Sequence, residues 1–155
     1  MKKIALVLLF NLVFFACSYP EQKETTRIES VEKKHFSITP EQIIDAIDSG
    51  DPAVYAKLLT ENSRFRFGNY DMVQGKPAIF ETQTQFYSSI KSLKHEVLRT
   101  WKNENSIVIE LLVTYIRHDD TTITLPVVDI FEIKENKIDA TIVYMDVTPL
   151  YNYKK

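Results

Sequence analysis

The feature that most constrains the fold of this chain is a change of hydrophobic period near its middle. From there on, apolar residues alternate with polar ones in four stretches, 93–101, 107–117, 123–133 and 138–147, which short polar turns separate. A period of two predicts strands, and tight turns between strands predict antiparallel neighbours. The second half of the chain is therefore predicted to form a four-stranded antiparallel meander.

The residues before the meander follow a helical period instead. Thr39, Pro40 and Gln42 form a helix-start signal with a capping box, and Gly50 ends that helix. Helices that precede a sheet predict an α+β fold rather than a parallel α/β fold. Pro126, inside the third long strand, predicts an edge position or a bulge. The further predicted elements are a second helix over 51–59, short strands near 65–67 and 72–73, and a third helix that opens at 75–77.

The amino terminus has the layout of a secretory signal. Lys2 and Lys3 precede an apolar run over 4–16, which is shorter than the roughly 20 residues that a transmembrane helix needs. The segment Phe14-Phe15-Ala16-Cys17 resembles the lipobox of bacterial lipoproteins, in which the cysteine is lipidated and becomes the mature amino terminus. The alternative is an ordinary signal peptide that contains a cysteine. The predicted organisation is a signal peptide (1–16), a lipidated Cys17 with a flexible tether (17–37) and a folded domain (38–155).

This interpretation predicts a location as well as an organisation. The chain would be secreted across the inner membrane and held in the cell envelope, in the periplasm or at the outer membrane, by lipid on Cys17. The mature chain would carry 17 basic and 21 acidic side chains, a net charge of −4. Such a mildly acidic protein is not drawn to anionic membranes or to nucleic acid by charge. The lipid would therefore be its contact with the membrane.

The composition excludes several cofactor chemistries. One cysteine cannot form an intrachain disulfide, and one cysteine with three histidines makes a structural zinc site improbable. The three glycines, Gly50, Gly68 and Gly75, do not form a dinucleotide-binding fingerprint or a phosphate-binding loop. We therefore expect neither a metal nor a cofactor.

Four segments along residues 39–150 carry a resemblance to a known family: Asp45 to Leu59, Val73 to Ile79, Val113 to Asp120, and Lys137 to Asp146. In that order they resemble the opening helices, the entry to the third helix, a hairpin and the closing strand of SnoaL-like domains, a branch of the nuclear-transport-factor-2-like fold. Asp120 departs from the family pattern, because the family usually has glycine at that position of the turn.

The resemblance implies a cone-shaped half-barrel, with three amino-terminal helices packed on a curved antiparallel sheet and a pocket between them. It also implies two kinds of function, because the family includes cofactor-free isomerases, cyclases and hydrolases as well as binding or accessory domains without a reaction. Fold alone does not decide between them. In the enzymes a carboxylate on the late strands is the acid or base, and Asp129 and Asp146 match that position best.

Candidate site residues are polar groups on strand faces that alternation predicts to be buried. Asp129 is the lone carboxylate on an apolar face, and burial tends to raise the pKa of such a group toward neutrality, as acid–base catalysis requires. Asp129 could instead pair with Arg99 or Arg117, and Asp146 could cap a turn. The candidate pocket residues, placed by the same alternation, are His95 and Trp101 on the first long strand, Tyr115 on the second and Tyr144 on the fourth.

Two functions remain open at this point. The favoured one is a membrane-tethered module that binds a small apolar ligand or a partner protein, because the ionisable groups are isolated rather than clustered. The alternative is a cofactor-free isomerase, cyclase or hydrolase that uses Asp129 or Asp146 as general acid or base. The second long strand is apolar on both faces except for Glu110 and Thr114, which predicts that one face lines the core and the other meets another surface. In the fold that the chain resembles, that surface is often a second copy, so the resemblance implies a homodimer.

Overall fold

The computed structural model describes residues 37–152, so the predicted signal peptide, Cys17 and nearly all of the predicted tether lie outside the described residues. The elements of the described part are α1 (Pro40–Asp48), α2 (Pro52–Ala56), β1 (Leu59–Phe67), β2 (Val73–Gln74), α3 (Lys76–Ser88), β3 (Ser92–Lys102), β4 (Ser106–Ile116), β5 (Thr122–Lys134), β6 (Lys137–Tyr144) and the short α4 (Thr148–Tyr151). No helix among these is long and apolar enough to cross a membrane.

The strands form one six-stranded sheet in the order β2-β1-β6-β5-β4-β3. β3 to β6 are the predicted antiparallel meander, and the helices lie before it in the chain, so the α+β class is confirmed. β1 runs parallel to β6 and is longer than predicted. It begins at Leu59, which helical periodicity had assigned to the second helix, because Leu59 pairs with Ile138 in the sheet.

The start of α1 is the predicted capping box. The Thr39 side chain accepts from the Gln42 backbone N–H at 3.3 Å, and the Gln42 side chain accepts from the Thr39 N–H at 3.0 Å. Gly50 follows the helix with a φ of 67°, a left-handed conformation that glycine adopts without a steric cost. These two signals place Asp48 at the last turn of α1.

Pro126 lies at a local edge of the sheet. Its cross-strand partner on β4 is Leu112, whereas the ladder between β5 and β6 begins two residues later, at the pair Val128–Tyr144. Among residues 37–152, β5 therefore has no partner strand beside Pro126 on its β6 side, and the missing N–H breaks no ladder there. The edge alternative of the prediction is confirmed, and no bulge is needed.

Asp120, at the family's glycine position, keeps the geometry of the turn. Its φ is 64°, in the left-handed region that aspartate tolerates better than most residues. Asp119 accepts from the backbone N–H of Thr121 at 3.0 Å and stabilises the same turn.

A bulge in β3 corrects the predicted position of Trp101. His95 pairs with Val113, but the register shifts after Val97, and Trp101 then pairs with Val108. Val108 and Val113 lie on opposite faces of β4, since their positions differ by an odd number. Trp101 therefore lies on the opposite face from His95, and its exposed fraction is 50%.

A second bulge, in β6, corrects the predicted position of Tyr144. Ile133 pairs with Ile138 and Glu132 pairs with Ala140, so β6 has one extra residue at this point. Beyond it Val143 is the residue opposite Asp129, and Tyr144 faces the other side with 52% of its surface exposed. Because of the bulge, the residues of β6 beyond it face the opposite side of the sheet from the one that simple alternation predicts.

Candidate functional site

The inner face of the sheet and the helices line a partly open cavity of about 350 Å³. Its apolar wall includes Ile47 from α1, Leu93 from β3 and Val127 from β5. Such a volume is in the range of small-molecule sites. Aromatic side chains dominate the lining: Tyr55, Phe65, Phe67, Tyr70, Phe86, Tyr87, Tyr115 and Tyr151.

Asp129 is a buried carboxyl group in this wall. It projects from β5 between Val127 and Phe131, and only 3% of its surface is exposed. Its Oδ1 atom is buried and has no hydrogen-bond partner among the described residues. Burial raises the pKa of this carboxyl to about 7, because the apolar surroundings disfavour its charged form.

The arginines that could have neutralised Asp129 have other partners. Arg99 donates to Glu110 from Nε at 2.6 Å and from Nη2 at 3.1 Å. Arg117 donates to the backbone carbonyl groups of Leu150 and Pro149 at 2.9 and 2.7 Å, and so holds α4 against the end of β4.

Two tyrosines near Asp129 are engaged elsewhere. The Tyr55 hydroxyl shares a hydrogen bond of 2.5 Å with the Thr141 hydroxyl, and the Tyr115 hydroxyl donates to Met145 Sδ at 3.6 Å. Burial raises the pKa of both phenols, and the charge of Asp129 acts in the same direction. They are neutral donors that a ligand could redirect, and Tyr115 is one of the predicted pocket residues.

His95 lines the same cavity and is held by Asp48. The His95 Nδ1–H donates to Asp48 Oδ1 at 2.6 Å, and both side chains are more than nine-tenths buried. Asp48 also accepts from the His95 backbone N–H at 3.1 Å and from Lys94 Nζ at 2.6 Å. Burial lowers the pKa of His95 despite the opposing effect of Asp48. The imidazole is thus neutral near pH 7, with Nε2 free of hydrogen bonds to any described residue.

Sequence reasoning missed Asp48 and Gln83. Asp48 is at the carboxyl end of α1, where the helix dipole disfavours an acid, and this anomaly was the available signal. Gln83 lies one turn after Ile79 on the inward stripe of α3, and its buried Oε1 has no partner among the described residues. The cavity therefore contains two buried polar atoms without a hydrogen bond, one on Asp129 and one on Gln83.

The structure brings three predicted site residues to the cavity and places three others outside its lining. Asp129, His95 and Tyr115 are in the lining. Asp146 is exposed after β6, where the backbone N–H of Thr148 donates to it at 2.9 Å, and hydrogen bonds from Thr148 hold its pKa below the usual range. It caps a turn, the alternative that the sequence left open.

Trp101 and Tyr144 are on the outer face of the sheet. The Arg99 guanidinium lies 5.6 Å from the Trp101 ring centre, and Arg66 lies 5.2 Å from that of Tyr144. Such cation–π contacts are modest at exposed sites. Within residues 37–152 no cluster of three or more His, Cys, Asp or Glu side chains could hold a metal ion.

An α+β domain whose helices and curved sheet line an apolar cavity with a buried carboxyl group has the nuclear-transport-factor-2-like fold. The model of the SnoaL-like domain family matches residues 41–141, and the chain belongs to that family. No curated protein sequence matches the chain.

Solved structures with this fold include enzymes and proteins without an assigned reaction. A protein with a ketosteroid isomerase-like fold from Catenulispora acidiphila, in complex with trimethylamine, is 13% identical, with a TM-score of 0.65, over 72% of this chain and 89% of that one. The epoxide hydrolase/cyclase-like enzyme SalBIII of salinomycin formation is 19% identical, with a TM-score of 0.62, over 70% and 88%. An epoxide hydrolase from Mycobacterium tuberculosis is 14% identical, with a TM-score of 0.60, over 69% and 79%. At these identities the likeness concerns the fold alone.

Proposed function

We propose that this domain binds a small, mostly apolar ligand in its cavity. The observation that carries the proposal is the aromatic lining of the cavity with one buried, unsatisfied carboxyl oxygen, Asp129 Oδ1. An apolar wall supplies affinity by removing ligand surface from water, and a small number of polar groups orient the ligand. The same wall without a ligand leaves Asp129 and Gln83 unsatisfied, which a purely structural core avoids.

A neutral fluorescent probe tests this proposal. N-phenyl-1-naphthylamine is expected to bind the full-length protein, with a rise in its fluorescence. Val127→Phe projects a ring into the cavity and should weaken binding at least tenfold, whereas Val128→Phe, on the outer face of the same strand, should not. Equal binding by the two variants, or no binding by the parent protein, would contradict the proposal.

The second candidate is a cofactor-free isomerase, cyclase or hydrolase. Asp129, with its pKa raised to about 7, can donate a proton at neutral pH, and His95 Nε2 can accept one. In an epoxide opening, His95 would take a proton from the attacking water while Asp129 protonates the departing oxygen. The fold shared with SalBIII and the mycobacterial epoxide hydrolase is compatible with this chemistry.

Hydrolysis of 1-methylcyclohexene oxide tests the second candidate. General acid catalysis contributes about 10²- to 10⁴-fold, so Asp129→Asn should lower kcat by at least 100-fold. Asp146→Asn, outside the cavity lining, is the matched control and should leave kcat unchanged. Turnover that survives in Asp129→Asn would exclude this role for Asp129.

We also propose that the chain is a lipoprotein tethered to the envelope membrane through Cys17. The support is the sequence alone: two lysines, an apolar run and Cys17 directly after Ala16. Mass spectrometry of the mature amino-terminal peptide should find lipid on Cys17, and Cys17→Ala should shift the protein from the membrane to the soluble fraction. An unmodified Cys17 in a protein processed elsewhere would refute the tether.

The predicted homodimer also stays a proposal. The outer face of the sheet exposes Trp101 on β3 and Tyr144 on β6, each by about half of its surface. Aromatic side chains are enriched in protein contacts. Light scattering of the parent protein and of Trp101→Glu would measure the association directly.

A further inference from the structure

The chemistry of the cavity narrows the class of ligand beyond its apolar character. We propose that the cavity takes an organic cation, an alkylammonium head group that sits among the aromatic rings with its charge toward the Asp129 carboxylate. This inference rests on the proposed ligand-binding function and specifies its substrate class.

The first argument is the missing counter-charge. Asp129 Oδ1 is buried without a hydrogen bond, and neither lysine nor arginine among the described residues lines the cavity. Asp71, an exposed residue, adds a second carboxylate to the lining. A ligand that supplies a positive charge would therefore complete the site, since a buried carboxylate is strongly unfavourable until it is paired.

The second argument is the wall. The faces of aromatic rings carry negative electrostatic potential and attract quaternary ammonium groups, most strongly where water is excluded. Tyr55, Phe86 and Tyr115 come from three different elements, and with Asp129 they line one cavity. Phe86 and Tyr115 are edge to face, with ring centres 6.4 Å apart. Rings on several sides allow a cation to be desolvated without losing all of its electrostatic stabilisation.

The third argument is the charge of the domain. Residues 37–152 contain 11 basic and 17 acidic side chains, a net charge of −6. A field of this sign raises the local concentration of small cations and lowers that of anions. An anionic ligand would be repelled by this field and by the unpaired Asp129. The electrostatics of the domain and of the cavity therefore both favour a cationic ligand.

The matched probes are choline and 3,3-dimethylbutan-1-ol, which differ only by carbon in place of the charged nitrogen. Titration of the full-length protein by NMR at pH 8 should show choline binding at least tenfold more tightly than the alcohol. Asp129→Asn should weaken choline binding at least tenfold and so remove most of the preference for choline over the alcohol. Asp146→Asn removes a carboxylate outside the cavity lining and should change neither affinity.

The pH dependence of choline binding identifies the responsible group. Affinity should rise between pH 6 and pH 8 in the parent protein, as Asp129 ionises, and not in Asp129→Asn. Burial raises the pKa of Tyr55, Tyr87 and Tyr115 and lowers that of His95, which leaves these groups uncharged at pH 8. The titratable groups of the lining besides Asp129 are Tyr55 from α2, Tyr87 from α3, His95 from β3, Tyr115 from β4, Tyr151 from α4, and Tyr70 and Asp71 between β1 and β2.

Each outcome decides between the two proposals. Equal affinity for choline and the alcohol, or choline binding that survives in Asp129→Asn, overturns the organic-cation proposal. If the naphthylamine probe still binds in the cavity, the general ligand-binding function stands without it. If neither choline nor the naphthylamine binds, both proposals fail. Thermal unfolding of Asp129→Asn verifies that the variant is folded.

Discussion

Asp48 and Asp129 are both buried beside the cavity, but they have opposite surroundings. Asp48 accepts from Lys94 Nζ and from the ring and backbone N–H groups of His95. Asp129 Oδ1 accepts from no described residue. The same side chain is therefore fully satisfied at one site and unsatisfied at the other.

The position of each carboxyl group relative to the sheet explains the difference. Asp48, at the end of α1, lies beside the edge strand β3, so the His95 N–H on the side away from β4 is free to donate to it. Asp129 is on β5, between β4 and β6, and the ladders on both sides use the backbone groups around it. A carboxyl group beside an edge strand can accept from the backbone, whereas one in the middle of a sheet depends on side chains or on a ligand. Asp48 connects α1 to β3, and Asp129 remains available for binding.

The largest expected effect is the pH dependence that Asp129 imposes on stability. Its folded-state pKa of about 7 lies above the ordinary aspartate value of 3.8. Between these two pH values the folded protein therefore holds a proton that the unfolded chain has lost. The free energy of unfolding should then fall as pH rises from about 4 to 7, by about 1.4 kcal/mol per unit and about 4 kcal/mol in all. Asp129→Asn should remove this slope in urea unfolding followed from pH 4 to pH 8.

The control for this slope is Asp146→Asn. Because hydrogen bonds from Thr148 lower the pKa of Asp146, that carboxyl stabilises the fold above its unfolded pKa, and the stabilisation is lost as pH falls through the folded pKa. Its removal therefore leaves the fall between pH 4 and pH 7 in place. A parent protein and an Asp129→Asn variant with equal slopes would show that Asp129 has a partner in solution.

The next effect concerns the satisfied carboxylate. Asp48→Asn replaces one carboxylate oxygen with an NH₂ group, which would face the donors of Lys94 or His95 and lose a hydrogen bond. The substitution should lower the free energy of unfolding by about 2 kcal/mol. Asp45→Asn, one turn earlier on the exposed side of α1, should cost less than about 0.5 kcal/mol. The loss should be similar at pH 6 and pH 8, unlike the effect at Asp129.

NMR of the His95 ring provides a second readout for Asp48→Asn. The parent protein should hold the Nδ1–H tautomer because Asp48 accepts that proton. The variant should lose this preference, and the pKa of His95 should fall further, since Asp48 is the group that raises it. A ring that keeps its tautomer and pKa in the variant would mean that another group orients His95.

The contrast between regular and bulged strands explains which site residues the sequence could predict. β4 and β5 pair without a register shift from Ile107 to Tyr115, so simple alternation placed Asp129 and Tyr115 on the cavity side. β3 and β6 each contain a bulge, and the alternation that placed Trp101 and Tyr144 fails beyond it. A bulge depends on how neighbouring strands fit, so it leaves no reliable trace in the period of one strand.

Hydrogen bonds between residues that are distant in sequence are the second feature that the sequence could not predict. Asp48 and His95 are separated by 47 positions and meet because α1 packs beside the edge strand β3. The helix-start signal at Thr39 and the stop at Gly50 could be predicted locally, since capping uses neighbouring residues. Whether a side chain finds a hydrogen-bond donor that is distant in sequence depends on the tertiary fold. The sequence could therefore propose Asp129 as a site residue but could not show that its Oδ1 lacks a partner.

The smallest effect comes from giving Asp129 a donor of its own. Val143 is directly opposite Asp129 on β6, and side chains in such pairs are about 5 Å apart at Cβ. Val143→Thr places a hydroxyl beside the carboxyl, which should lower the pKa of Asp129 and favour its charged form. The effect of Val143→Thr on the free energy of unfolding should be about 1 kcal/mol more favourable at pH 8 than at pH 5. The control variant, Val128→Thr on the outer face, should show no such difference. If Val143→Thr leaves the pH profile unchanged, the lack of a donor is not what separates Asp129 from Asp48, and the low polarity of the wall must account for the raised pKa alone.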